Sequence, residues 1–459
     1  ETTYPSLYRF TDSLTITKHL DDRLKSLDRS MTELEFYKII VLTCGKINDE
    51  HIIPTPSKAY YQSLRNSTHY FPFSLKIIDR RLFILKNFNL QKKLPIGSEV
   101  LSINGHSAEE ILNILLPTIP SDGYIQTFNI RHLEDYSMTQ NQNLFDLNYP
   151  IFIEKADSFR IEFIDPEAKS EKRIVSVAGL DFTAYNSFYN ERIGYKAPLE
   201  LKYLKDEIAY LRISSFLKFH RDDFKQDFYY LYDSIFKQLN QKRTKHLILD
   251  LRNNEGGDGT GEKLLTYLLS KPYRHFEFTE EKFTGYPPVI DYLENGKDLF
   301  FIDSIVYRAN TGMFRLKKEY YNYVPLLNEQ QPDKNHYKGK LYTLINGASG
   351  SMASVVSSFL KAKGRSVFIG EESGGTMEGN TSLGYARLLL PNTKIRIEIP
   401  LTKTAHHVDF VKGRGVFPDY YVTPKIEDLV AGIDTELSFA LDLIMSKKDM
   451  SFENGNVRR

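Results

Sequence analysis

The sequence predicts a multidomain α+β protein, with a helical N-terminal region, a small β-domain and a larger α/β domain. Three observations carry this. Leu14, Ile16, Leu20, Leu24 and Leu27 recur near helical spacing. Short β-rich runs fill 70 to 178, among them Leu82-Phe83-Ile84-Leu85, Glu99-Val100-Leu101-Ser102-Ile103 and Phe159-Arg160-Ile161-Glu162-Phe163. From about 197 onward, apolar strand patterns alternate with helical ones, the signature of an α/β unit. A length of 459 residues accommodates two or three such units.

The helical region takes 1–68. Thr32-Glu33-Leu34-Glu35 opens its second helix, and Ile52-Ile53-Pro54-Thr55-Pro56 breaks the pattern. The β-domain takes 69–178, with a tight turn at Asn104-Gly105 and one short helix over 108–115. The α/β domain takes 179–447. A strand over 208–213 leads into a helical stretch through Phe236, and His246-Leu247-Ile248-Leu249-Asp250-Leu251 follows as a strand covered on both faces. Strands over 341–345 and 366–369 flank another helix. Residues 274–338, rich in Tyr, Pro and charge, read as an insertion and a candidate lid over a cleft. One amphipathic helix over 426–444 closes the chain.

Sixty basic residues nearly cancel 59 acidic ones, leaving +1. Proteins that neutralise a phosphate backbone carry a basic excess, so nucleic acid is not an expected partner. The single Cys44 ends an apolar run and is expected as a buried, inert thiol. No apolar run has the length of a membrane-spanning helix. The chain starts at Glu1 without an initiator Met, for which a cleaved signal peptide is one expected origin.

Asn346-Gly347-Ala348-Ser349-Gly350-Ser351-Met352 joins a strand to a helix whose one face carries Met352, Val355, Val356, Phe359 and Leu360. Small residues let the backbone bend sharply and expose a side chain at the helix start. Unpaired N–H groups there favour developing negative charge. Ser351 is therefore a candidate acyl-transfer nucleophile, although serine is equally a preferred helix cap. A second element adds weight to the first reading. Asp250-Leu251-Arg252-Asn253-Asn254-Glu255-Gly256-Gly257-Asp258-Gly259 is a buried strand running into a glycine turn. Without Cβ atoms, Gly256 and Gly257 can bring a main-chain N–H up to a carbonyl. With the Met352 N–H this would complete an oxyanion hole. A phosphate loop fits poorly, because the Lys-Ser/Thr ending is missing and Glu255 and Asp258 would repel phosphate.

The pair Asp-Leu-Arg-Asn-Asn-x-Gly-Gly and Asn-Gly-x-Ser-Gly-Ser resembles the C-terminal processing (tail-specific) serine peptidase family and its tricorn-like branch. Pro95-Ile96-Gly97-Ser98-Glu99-Val100-Leu101-Ser102-Ile103-Asn104-Gly105 is similar to a PDZ signature. Gly415-Val416-Phe417-Pro418-Asp419 matches the family's closing stretch. The resemblance implies a PDZ-like domain over 69–178 and a ClpP/crotonase-like catalytic fold. It also implies an endopeptidase with no cofactor and no metal, acting on proteins or peptides, in part by their C-terminal tails. An extracytoplasmic location (periplasmic, secreted or envelope-anchored) comes with it.

The processing branch activates its serine with a lysine, but Thr376 occupies that position in Gly370-Glu371-Glu372-Ser373-Gly374-Gly375-Thr376. The tricorn-like branch uses a histidine from the N-terminal region. The matching stretch, Gly45-Lys46-Ile47-Asn48-Asp49-Glu50-His51, assigns the base to His51. His407 with Asp409 is a rival, and His220 is expected as a surface residue. The orienting acid is assigned to Glu378, with Asp49 and Asp409 as alternatives, since Lys412 stands where the branch carries its glutamate. A relative that kept the fold and binds peptides or apolar ligands without catalysis is the alternative function, and a crotonase-type acyl-CoA enzyme is a more distant one.

Overall fold

The computed structural model describes residues 2–446, except 68, 89–93, 135, 138–141, 169–170 and 189–195, so residue 447 of the expected catalytic domain lies outside it. Two helices, Ser13–Lys25 and Glu33–Gly45, open the chain. Each starts where a side chain satisfies a free N–H: Asp12 caps the first, and Thr32 with Glu35 closes a reciprocal capping box on the second.

An antiparallel sheet follows in the order Phe73–Ile78, Arg81–Asn87, Glu99–Ile103, Ser158–Ile164 and Lys172–Ala178. Its core includes Leu82, Ile84, Val100, Ile103, Ile111 and Leu112, all nearly inaccessible. Three helices cover it, Ala108–Leu115, Gln126–Glu134 and Leu144–Phe152, where the sequence pattern indicates only the first. The other two are obscured by their composition. Leu144–Phe152 holds Pro150 and three aromatic residues, yet it is capped by Asn143 and almost wholly buried, so packing overrides propensity.

The α/β part is built on a sheet ordered Leu199–Lys205, Ile208–Ile213, His246–Asp250, Lys340–Ile345, Ser366–Gly370 and Tyr420–Tyr421, parallel after its first pair. Leu247 and Leu249 pack on one face against Phe228–Gln241, Thr260–Leu268 and Ser351–Ala362; Ile248 packs on the other against Thr435–Met445. The continuous apolar run of this strand thus reflects cover on both sides. The closing helix is two helices, Ile426–Val430 and Thr435–Met445, with Gly432 at φ +71° ending the first.

Residues 274–338 do not hang free. Phe276–Glu281, Phe314–Leu316 and Val306–Arg308 join a third sheet with Arg396–His406, Leu383–Leu389 and the N-terminal strand Ile53–Thr55. Among the described residues no helix is long and apolar enough to cross a membrane.

Candidate active site

Two parallel strands, His246–Asp250 and Lys340–Ile345, end side by side, and the turns leaving them form the centre of the site. The turns are locked together. Asn253 N–H donates to Asn346 Oδ1 at 3.1 Å, Asn346 Nδ2 returns a bond to Asn253 Oδ1 at 2.7 Å, and Gly350 N–H reaches Asn254 O at 3.0 Å. Ser349 Oγ donates to Leu251 O at 2.8 Å.

Ser351 is the first residue of the helix Ser351–Ala362, and Gly350 is its cap. Its φ of +41° lies in the left-handed region, where a non-glycine residue is strained; such strain persists where surrounding contacts over-determine it. Gly256 explains why the opposite turn needs glycine. A Cβ there would stand 2.6 Å from Ser351 Cβ and 2.7 Å from Met352 N, at a φ of +94°. Gly256, Ser351 and Met352 are therefore together. Gly256 N–H is engaged by Asn254 Oδ1 at 2.9 Å. Among the described residues no acceptor is recorded for the Gly257 or Met352 N–H, and a Cβ on Gly257 would collide with the Phe216 backbone.

His51 lies in the loop after Glu33–Gly45, its side chain 12% exposed. Nδ1 faces Asp49 Oδ1 at 3.4 Å and Nε2 faces Glu50 Oε1 at 3.8 Å. Asp49 is buried and held by three donors, one of them shared between its two oxygens. Tyr4 Oη and Thr381 Oγ1 (2.9 Å) bond its Oδ2, while the His51 N–H (2.9 Å) and Thr381 Oγ1 (3.1 Å) bond its Oδ1. Asp122 accepts from the Glu50 N–H at 3.1 Å. The Glu50 carboxylate reaches from the imidazole towards the start of the Ser351 helix. Its Oε2 lies 3.8 Å from the position a Cβ would take on Gly350, and the Ser351 N–H acts on its charge.

This packing sets the charges. Burial opposes a charged His51, but the bond to Asp49 and the charges of Glu50, Asp122 and Asp49 outweigh it and push the imidazole up to about 9. Burial and the Asp122 charge push Glu50 up, and burial with Asp49 pushes Asp122 up. Burial alone would raise Asp49 as well, but its bonds and attraction to His51 carry it down. Ligand atoms of Asp49, His51 and Asp122 lie within 4.8 Å of one another, close enough to hold a cation. The donors on both Asp49 oxygens fit an imidazole-orienting role better, because a cation would compete with them.

The other expected site residues go elsewhere. Glu378, expected to orient the base, bonds Arg9 Nε at 2.8 Å and the Gly413 N–H at 3.1 Å; the carboxylates acting on His51 are Asp49, Glu50 and Asp122. Thr376, at the lysine position, is buried and donates to Gly379 O at 2.9 Å. His407 pairs with Glu277 and Arg274 at the surface. His220 is buried rather than exposed, its Nε2 2.9 Å from Lys196 O. Cys44 is buried, and burial pushes its thiol up to about 12. Asp122 gave no signal in sequence, since Ser-Asp-Gly is an ordinary turn. Glu50 adjoins the histidine, where an acidic residue in a loop has the pattern of an ordinary surface charge.

Residues 207–422 match the model of Peptidase family S41. The fold is similar to that of two solved structures. "Crystal Structure of mature CPAF" is 15% identical, with a TM-score of 0.65, covering 98% of this chain and 96% of that one. "Structure of mature CPAF complexed with lactacystin" is 14% identical, with a TM-score of 0.64, covering 96% and 94%. A comparison with curated proteins finds no match. Residues 207–422, the part that holds Ser351 and its glycine turn, match peptidase family S41, which supports a serine-type, tail-specific protease-like hydrolase.

Proposed function

We propose that the chain is an endopeptidase that cleaves protein or peptide substrates through an acyl-enzyme on Ser351. The observation that carries this is the approach of Gly256 to a strained serine at a helix start, with Ser351 Cβ 2.6 Å from where a Cβ on Gly256 would lie. His51 takes the Ser351 proton as the hydroxyl attacks the scissile carbonyl, and returns it to the leaving amine. Asp49, rather than Glu378, fixes the imidazole and stabilises its charged form. The carbonyl oxygen, now negative, is held by the Met352 and Gly257 N–H groups; Gly256 is less suited, because Asn254 already engages its N–H. Water then releases the acyl group by the same route.

With 1–68 as the helical region and 179–447 as the catalytic domain, residues 69–178 are proposed as the PDZ-like domain. It would take an extended segment, such as a substrate's C-terminal tail, by strand addition to an edge. An extracytoplasmic location fits this reading.

Ser351→Ala tests the assignment. The variant should lose hydrolysis of unfolded protein and labelling by a fluorophosphonate probe, while keeping its circular dichroism and melting temperature. Unmodified protein that fails to react with the probe would instead favour the non-catalytic peptide-binding relative.

A further inference from the structure

A cavity of about 690 Å³ lies where the first two helices meet the antiparallel-sheet domain. Its charged lining is of one sign. Arg23 comes from the first helix beside the imidazole of His19, Lys46 from the end of the second, and Arg80 from the turn between Phe73–Ile78 and Arg81–Asn87; no Asp or Glu is among its lining residues. His19 Nε2 is buried without a hydrogen-bond partner. Burial above all, with the charges of Arg23 and Lys46, lowers the proton affinity of His19, Asp22 opposing. Arg80 is braced by Asn113 Oδ1, which accepts from its Nη2 at 2.7 Å.

The cavity shares walls with the catalytic centre. Asn48 and Gly123 line it and are joined by a 3.0 Å backbone bond, and the adjoining Asp49 and Asp122 act on His51. Gln126 and Asn129 line it from the helix Gln126–Glu134. In the same helix, Thr127 and Phe128 pack on Gly347 and Gly350 beside Ser351.

We propose that this cavity is an exosite for acidic segments of the peptide substrate, holding Asp or Glu carboxylates next to the catalytic loop. The inference rests on the peptidase reading above and adds a substrate preference to it. Three separate chain segments supply the cations, which suits several carboxylates along one peptide better than a single small anion. The near-zero net charge of the whole chain means that this attraction is local.

The experiment uses quenched peptides with one common neutral core, extended by four Glu or by four Gln. With the unmodified chain, the acidic peptide should show the lower KM, and added salt should erase the difference. The double variant Arg23→Glu/Arg80→Glu should raise KM for the acidic peptide by about tenfold, leaving kcat and the neutral peptide unchanged. Lys18→Glu, on the same helix but outside the cavity lining, controls for overall charge. Binding of the acidic peptide to Ser351→Ala, measured by fluorescence anisotropy, should follow the same order across the cavity variants. This arm reads the exosite even if no hydrolysis is observed, so failure of the peptidase reading and failure of the exosite are separable. Equal losses in Lys18→Glu and the double variant would overturn the proposal. So would equal KM values for the two peptides, or inorganic phosphate binding as tightly as the acidic peptide.

Discussion

His51 sits inside a ring of carboxylates, and its chemistry follows from that ring. In the proposed mechanism the base must be neutral to accept the Ser351 proton, yet Asp49, Glu50 and Asp122 favour the charged imidazole and push it up to about 9. Peptidase activity should therefore rise with pH through the neutral range, with a midpoint above the usual histidine value. Glu50→Gln removes one supporting negative charge, so the imidazolium loses its proton at lower pH. The midpoint of the kcat/KM profile should fall by about one pH unit. An unchanged midpoint would mean that Glu50 does not act on the base. The adjoining Asp49 carries a different task, being fixed by Tyr4 and Thr381 so that its position, and with it the imidazole's, is set before substrate arrives.

At the scale of elements, the site is made by two turns rather than by any helix or strand. The 251–259 and 346–350 turns exchange hydrogen bonds through Asn253, Asn254 and Asn346, and Gly256 fills the gap where no side chain fits. Gly256→Ala must accommodate both a φ of +94° and a Cβ 2.6 Å from Ser351 Cβ. It should cost about 1–3 kcal/mol of stability and lower kcat by displacing the serine. Urea unfolding and turnover of a neutral peptide measure the two effects; wild-type values in both would contradict the close approach. The capped helix Glu33–Gly45 has a matching role, since it aims the 46–51 loop that delivers His51.

The whole molecule is held together across its parts by a buried charge network. Arg131, 3% exposed, bonds Glu371 through Nε at 2.8 Å and also pairs with Glu134, which in turn pairs with Lys76. The antiparallel-sheet domain is thereby fixed to the strand end that precedes Thr376. Arg131→Ala strips Glu371 of its guanidinium and leaves Glu134 with Lys76 as its one cation; it should cost about 3–5 kcal/mol, seen as a lower denaturation midpoint. A loss below about 1 kcal/mol would place the pairing energy elsewhere. Acid acts at this scale too. Burial lowers His406 to about 4, its bond to Met377 O only partly offsetting, and burial with the neighbouring His406 lowers His275. Both are neutral when folded, so unfolding takes up protons below their ordinary value near 6.5. Their stabilising share is complete above that pH and is lost as pH falls towards 4. The melting temperature should decline between pH 6.5 and 5, before most carboxylates titrate; a flat profile there would count against neutral burial.

How much was legible in sequence depended on how local the determinant is. The strands at 208–213, 246–250 and 341–345 announce themselves because burial on both faces requires continuous apolar runs. Ser351 with Gly256 is readable because a sharp turn and a close backbone approach each demand small residues in a fixed order. The neighbours of His51 are not readable in this way. Asp122 and Tyr4 lie 71 and 47 residues from it along the chain, and nothing in their local pattern marks a shared site. Glu378 looked apt by its place near Thr376, yet Arg9 from the opening segment claims it. The chemical menu, a serine at a helix start facing a glycine turn, was determined by the sequence alone. Which acid faces the imidazole was decided only by tertiary packing, because ion pairing and burial act on distance in space and carry no signature in the order of residues.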